Sequence, residues 1–325
     1  MSIKKFKFFL NKNQKLIRID KFLKKLIPNI SRNQIQNATY SGNILVNKHL
    51  IKKNYKIKPF DIIDAEIHYP IDLDPEYKNI IAENIPLNII YEDEDILIIN
   101  KPSGIVVHPG IGHKTGTLIH GIKYYLNNPN LFRSGLIHRI DKDTSGLLIV
   151  AKNEQSQKYL LQQFLSKTIQ RKYIALVWGN LKKKNGTITG YIGRDPKNRK
   201  RMKLFKKYFH KGKYSITHYK VLEKFKYITS IYCYLETGKT HQIRAHFKYL
   251  GHPILNDYIY GGNKIKNIEK KQIKFLKNYL KFFNRHALHA ISLSFIHPKK
   301  GKCNFTCSIP EEWKKLLEKF RKKLL

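Results

Sequence analysis

The chain is short of acid, short of cysteine and without long apolar runs, and each shortage excludes something. Only 23 of its 325 residues are Asp or Glu, against 63 Lys and Arg, so the formal net charge is +40. A basic excess of this size attracts polyanions and repels a second copy of itself, which favours a monomer. The basic residues are spread through the chain and interleaved with 20 Tyr and 17 Phe. That distribution fits nucleic acid better than a membrane surface, which a single basic amphipathic helix would suit. Lys, Asn, Ile and Tyr are abundant everywhere, so part of the excess is what an AT-biased genome would produce. The three cysteines, Cys233, Cys303 and Cys307, are too few for a disulfide framework and have no second Cys or His pair at zinc spacing nearby. They read as small hydrophobes in strands of a protein kept in a reducing, cytoplasmic setting. No run of ~18 apolar residues exists, which excludes a transmembrane helix. The opening MSIKKFKFFLNKNQK lacks an apolar core and a small-residue cleavage site, so no secretory signal is expected. Hydrophobic residues still make up 42%, enough for an ordinary core and too many for wholesale disorder.

The length suggests about two domains. Residues 1–15 form a basic N-terminal segment. Residues 16–72 read as a small module. IRIDKFLKKLI has apolar residues at helical spacing, Pro28 and Asn29 break it, and Ser31 is placed to cap a second helix, SRNQIQNATY. Gly42 ends that helix, and NILVN with an Asn47-Lys48 turn reads as a short strand. Arg18, Lys21, Lys24, Lys25 and Arg32 fall near one another with only Asp20 among them, which points to a phosphate-contacting face. Residues 73–88, with Pro75 and Pro86, form a linker. Residues 89–325 contain many short strands, among them ILIINKP, GLLIVAK, KYIALVWG and ITSIYCYLETG, and few helices. No regular βαβ alternation is visible, so an α+β domain around a mixed or antiparallel sheet is expected rather than a doubly wound one. EQSQKYLLQQFLSKTI is expected as a helix with Leu160, Leu161, Phe164 and Leu165 on one face. The Lys- and Asn-rich stretch 261–284 looks like an insertion. The tail IPEEWKKLLEKFRKKLL carries a core-packing stripe of Trp313, Leu316, Leu317, Phe320 and Leu324.

Three segments concentrate reactive side chains. GLIHRIDKDTSG packs His138, Arg139, Asp141, Lys142 and Asp143 between two apolar strands. Asp143 and Gly146 suit turn chemistry. Asp141 instead follows the alternating register of Leu136, His138 and Ile140, and so points into a site. ETGKTHQIRAH brings His241 and Arg244 onto neighbouring turns of a helix that Thr240 would cap. QRKYIA sets Tyr173 at the start of a strand behind a basic pair. His138, Asp141 and Asp143 have the residue types of a metal site, but only seven carboxylates lie between His138 and Tyr260, and metals of phosphoryl transfer need several oxygen ligands. PGIGHKTGT lacks the order of a Walker loop and reads as a flexible loop near the site. What remains is a carboxylate in a basic site with an arginine to lower its pKa. Such a group can act as nucleophile or base without a metal. If the polyanion is RNA, the target base must leave its stack, and an aromatic ring such as Tyr173 would receive it.

HRIDKDTSGLLIVAK resembles the signature of the RluA-type family of pseudouridine synthases, with Asp141 at the position of that family's catalytic aspartate. LETGKTHQIRAH resembles its second motif and RKYIALVWG its tyrosine motif; INKPSGIVVHPG and HALHAISLSFIHP also resemble family segments. RIDKFLKKLIPNISRNQIQ is similar to the small RNA-binding domain shared with ribosomal protein S4. That pairing, with the TGT after HPG, resembles the RluD-like subgroup, which modifies large-subunit ribosomal RNA. The resemblance covers nearly the whole chain. It implies a pseudouridine synthase fold with a central mixed, mainly antiparallel sheet, preceded by an S4-like α/β domain. It also implies a cofactor-free and metal-free isomerase acting on large-subunit rRNA or a pre-ribosomal particle. Asp141 would attack the sugar or the base, or abstract a ribose proton. Tyr173 would stack on the base and serve the carbon 5 proton, and Arg244 would pair with Asp141. Arg139, Lys239 and His241 would contact the flipped nucleotide and its neighbours. Arg194 and Arg199 would contact RNA from the basic loop GRDPKNRKRMKLF. The family pattern usually has Arg where Lys239 stands; Lys keeps the charge but loses the bidentate fork. Two other readings stand beside this one: a non-enzymatic RNA-binding or ribosome-assembly protein, and a metal-dependent nuclease.

Overall fold

Lys and Phe alternate from Lys5 to Phe8, a period of two that suits a strand with one wet face. In the computed structural model, which describes residues 2–27, 30–69, 80–110, 112–128, 131–208, 212–263, 270–280 and 283–324, this segment is strand β1, Ser2–Phe9. The stretch expected as a basic N-terminal segment is thus an element of a sheet. Phe6 and Phe8 pack against the core, while Lys5 and Lys7 face outward to Glu66 and Asp64. The chain divides into two units, Met1–Asn79 and Ile80–Leu325.

In the first unit, β2 (Ile17–Arg18) leads into α1 (Ile19–Leu26), followed by α2 (Arg32–Tyr40), β3 (Ile44–Val46), β4 (His49–Leu50), β5 (Lys56–Ile57) and β6 (Ile62–Tyr69). The four-stranded sheet runs β1-β6-β3-β4, and β2 pairs with β5. Ser31 caps α2 in a reciprocal capping box with Gln34. Asn47 and Lys48 take left-handed φ values of 52° and 67°, the conformation that a two-residue hairpin between β3 and β4 requires. Helices this short do not hold themselves together in water; Ile19, Leu23, Ile35 and Ile63, all fully buried, do so by packing. Residues 73–79 of the expected linker lie outside the described residues; 80–88 has no regular structure.

The second unit contains β7 (Ile89–Glu92), β8 (Ile96–Lys101), α3 (Leu118–Leu126), β9 (Ser145–Ala151), α4 (Glu154–Leu165), β10 (Gln170–Trp178), β11 (Asn185–Asp195), β12 (Asn198–Phe205), β13 (Lys213–Lys224), β14 (Ile228–Leu235), α5 (Gln242–Tyr249), α6 (Lys270–Leu280), β15 (Leu288–His297), β16 (Gly301–Thr306) and α7 (Glu311–Leu324). Ten strands form one sheet in the order β12-β11-β13-β14-β10-β15-β9-β8-β7, with β16 paired to β15. All pairs are antiparallel except β15 with β9, so the sheet is mixed and mainly antiparallel, as expected. β8 and β9 are apolar without alternation because both faces are covered. Leu97, Ile99, Leu148 and Val150 share a core with Leu118 and Ile122 of α3, while Ile96, Ile98, Leu147 and Ile149 share another with Leu160 of α4. Among the described residues no helix is long and apolar enough to cross a membrane.

Several local expectations are corrected. GRDPKNRKRMKLF is not a loop: β11 and β12 pair across it as a hairpin, with Arg194 opposite Met202. Leu165 leaves the buried face of α4 and is 81% exposed, since the helix ends there. The stretch 261–284 is more than an insertion. Residues 264–269 and 281–282 lie outside the described residues, but Leu276, Leu280 and Phe283 are buried in the main core. In α7, Trp313, Leu316, Leu317 and Phe320 are buried as expected; the side chain of Leu324 lies outside the described residues. Gly146 serves close approach rather than a turn. It sits in β9 with φ 113°, and a Cβ there would come within 2.2 Å of the Ala290 carbonyl oxygen.

Candidate active site

The segment between the short 3-10 turn Phe132–Gly135 and β9 carries Asp141. Its backbone turns tightly, with the Thr144 amide donating to the Asp141 carbonyl at 3.2 Å, and the turn is pinned from two sides. Thr144 Oγ1 and His286 Nε2 share a hydrogen bond of 2.7 Å, from just ahead of β15. Lys101, at the end of β8 and fully buried, donates through Nζ to the carbonyls of Pro102, Ile105 and Lys142 at 2.7, 3.0 and 2.9 Å. An ammonium has three protons, and each meets a carbonyl, although burial pulls the Lys101 pKa down to about 7. Lys101 thereby ties the residue after Asp141 to the end of β8. Lys101→Met should fill the space but leave carbonyls unpaired, at a cost of about 3 kcal/mol. Tm should then fall by roughly 6–12 °C, and kcat should fall as Asp141 drifts. Thermal unfolding with single-turnover kinetics checks both; unchanged kcat would dissociate Lys101 from the site.

Helix α5 supplies the arginine. Thr240 does not cap it; the cap position is His241, in the left-handed region at φ 54° with no side-chain cap bond. That conformation lets His241 turn to the cavity. Its Nδ1 lies 3.1 Å from the Tyr260 hydroxyl and its Nε2 3.9 Å from Asp141 Oδ2. Arg244 donates from Nη1 to Asp141 Oδ2 at 2.8 Å, and from Nε and Nη2 to the two oxygens of Asp257 at 2.7 and 2.9 Å. Asp257 is fully buried while the Asp141 side chain keeps 19% exposure. The guanidinium is therefore gripped by a bidentate partner behind it and presents its remaining edge to the carboxylate at the cavity.

Burial alone would raise the Asp141 carboxyl. The charges of His241, Arg244 and His286 and the Arg244 hydrogen bond outweigh it and hold the pKa below the ordinary 3.8. Burial takes His286 down to about 4 and also lowers His241. Both imidazoles are thus neutral near pH 7, and Arg244 is the cation that remains beside Asp141. Burial pushes the Tyr173 phenol above its usual value, so the ring is neutral at any physiological pH.

Asp141, Tyr173 and Arg244 line one cavity of about 260 Å³, together with Arg139, Lys239 and His241. Arg139 is exposed and Lys239 half-buried at its wall. The volume suits one base rather than stacked pairs. His138 also borders it, but its Nε2 faces the Ile149 amide at 3.4 Å and its ring stacks on Phe164, which leaves it turned away from Asp141. Arg194 and Arg199 do not line the cavity; they sit on the β11–β12 hairpin, where Arg194 donates to the Arg199 carbonyl at 2.9 Å. In the first unit, Arg18 and Arg32 both bind the buried Asp20, at 3.0 and 2.6 Å, with their own side chains 36% and 47% exposed. Lys21 is exposed beside them. Sequence reasoning missed Asp257, Tyr260 and Lys101. The available signal was chemical: in an acid-poor chain, a carboxylate set after the apolar run PIL has to find a cation.

A family model described as RNA pseudouridylate synthase matches residues 95–249, and one described as S4 domain matches residues 17–63. The chain is 41% identical over 317 residues to the uncharacterized RNA pseudouridine synthase YlyB of Bacillus subtilis (strain 168), covering 96% of this chain and 97% of that one. It is likewise 41% identical to ribosomal large subunit pseudouridine synthase D of Buchnera aphidicola subsp. Acyrthosiphon pisum, over 93% and 94% of the two chains. Human RNA pseudouridylate synthase domain containing 4 shares the fold, with a TM-score of 0.59 at 22% identity over 72% of this chain and 93% of that one.

Proposed function

The chain belongs to the RNA pseudouridine synthases, with an S4 domain ahead of the synthase unit, and on that premise we propose that it isomerises specific uridines of large-subunit ribosomal RNA through Asp141, without cofactor or metal. The observation that carries the reading is the Asp141–Arg244–Asp257 arrangement at the wall of a base-sized cavity. An isomerisation needs no oxidant, reductant or second substrate: the N1–C1′ bond breaks, the uracil turns, the C5–C1′ bond forms, the carbon 5 proton leaves and N1 gains one. What it needs is an ionised group at the sugar and base, and a ring to hold the loosened uracil. Asp141, kept charged by Arg244, supplies the first, attacking sugar or base or taking a ribose proton. Tyr173, neutral and at the same wall, supplies a stacking face and a hydroxyl near carbon 5.

Access to the target base requires its removal from the stack. From the cavity wall, Arg139 occupies the space it vacates, and Lys239 and His241 meet the neighbouring backbone. Arg18, Lys21 and Arg32 of the S4 domain, and Arg194 and Arg199 of the hairpin, contribute phosphate contacts elsewhere on the RNA, and a chain of +40 works as a monomer in the cytoplasm. The assignment to large-subunit rRNA rests on the names of the relatives. It is tested by offering the purified protein unmodified transcripts of large- and small-subunit rRNA and tRNA, then mapping pseudouridine by chemical labelling and primer extension. Conversion confined to the large-subunit RNA, or to particles containing it, is expected. Conversion of tRNA alone would overturn the substrate assignment.

A further inference from the structure

On β10, successive side chains point to opposite faces of the sheet. Tyr173 lines the catalytic cavity; its neighbour Lys172 lines a second concavity of about 700 Å³. Strand register places His218, Tyr234, Lys172, Ser292 and Thr306 side by side across β13, β14, β10, β15 and β16. The next row holds Gln170, Ser294 and Asn304. All of these but β16, which pairs only with β15, are interior strands of a ten-stranded sheet. Here a band of lysine, tyrosine, amide and hydroxyl groups lines an open hollow.

The chemistry of the band is specific. Lys167, Lys172 and Lys302 border it with Glu236 as the sole acid among its lining residues, and that carboxylate is engaged by His218 at 2.6 Å. Tyr234 is 38% exposed, with the Tyr232 ring 6.4 Å away at a steep angle and Lys172 Nζ 4.8 Å from the Tyr232 ring centre. Ser292 and Ser294 both donate to Asn304 Oδ1, at 3.1 and 2.7 Å, which leaves the Asn304 amide group as a donor. Exposed aromatic rings on a sheet, flanked by lysines and amides, are what single-stranded RNA uses: rings stack on bases and cations meet phosphates. The two cavities share Arg171 and Leu235, so a strand whose base occupies the first can pass the strand ends into the second.

We propose that this second concavity holds single-stranded RNA flanking the target uridine, with a base on Tyr234 and phosphates at Lys172 and Lys302. It deepens the reading of the catalytic cavity and rests on it. The test uses the full chain, as Tyr234→Ala and as the double variant Lys172→Ala with Lys302→Ala. Two measurements are made: binding of a fluorescent oligouridine by anisotropy across a salt series, and kcat and KM on large-subunit rRNA. Tyr234→Ala should weaken oligouridine binding by about 10-fold, within the range for one stacked base. The double variant should flatten the salt slope by about 1.4, at ~0.7 per lost phosphate contact. Both should raise KM with kcat unchanged, which a merely misfolded site would not do. Unchanged oligouridine binding and KM in both variants would overturn the proposal. So would a loss confined to capture of pre-ribosomal particles, which would assign the surface to a protein. Because oligouridine binding is read without turnover, a chain that converts no uridine yet loses binding in these variants would sink the catalytic reading and keep this one.

Discussion

Asp141→Asn should lower kcat by about 10⁴-fold or more while leaving RNA affinity intact. The size follows from removing the reacting group itself rather than a helper. The amide is isosteric and its oxygen can still accept from Arg244 Nη1, while Arg244 keeps both bonds to Asp257. The fold therefore loses little. Deleting one negative charge from a basic cavity cannot weaken attraction for a polyanion; binding should be equal or slightly tighter. Single-turnover conversion with parallel filter binding checks this. A variant that keeps a tenth of wild-type activity would remove Asp141 from the chemistry, and one that loses binding in proportion to activity would recast it as a recognition residue.

Arg244→Met should be damaging twice over. Asp257 is fully buried, and removing its bidentate partner strands a charge in the core, a change that costs about 3–5 kcal/mol and lowers Tm by roughly 6–20 °C. The second loss is electrostatic. In the wild type the Asp141 carboxyl sits below 3.8, so it contributes stability that is fully present above that pH and is lost as pH falls through the lower folded value. Without the arginine, burial is opposed only by His241 and His286, and the carboxyl rises from its wild-type value. The stabilising contribution shrinks, and the acid limb of kcat/KM moves to higher pH. Arg244→Lys, which keeps the charge but not the fork, should fold and show a smaller shift in the same direction. A pH–rate profile of the lysine variant superimposable on wild type would show that Arg244 does not set the ionisation of Asp141.

How much of this was legible follows from where each partner lies in the chain. Asp141 and Arg244 stand in local motifs whose residue types conflict with ordinary packing, so each could be picked out alone; Tyr173, an aromatic at the start of a strand, reads equally as core, and only the family resemblance singles it out. The mixed sheet was legible from strand-like runs without βαβ alternation. Asp257 and Lys101 were not: their roles exist only because the fold closes β8, the 136–144 segment and α5 on one another, which no window of sequence contains. The cap of α5 was misplaced at Thr240 because residue preference favours threonine there, whereas tertiary contacts hold His241 in a left-handed conformation facing Tyr260. The basic stretch after Gly193 reads as a loop because its charged residues mask the strand periodicity, although Ile192 and Leu204 of the hairpin are buried in the main core.

The most direct test of the central claim is to incubate the wild-type protein with unmodified large-subunit rRNA in the presence of a chelator, without added cofactor, and to map every uridine. The account predicts discrete isomerised positions that are absent when Asp141→Asn is used. No isomerisation on either naked rRNA or pre-ribosomal particles, or cleavage of the RNA that the chelator abolishes, would contradict it.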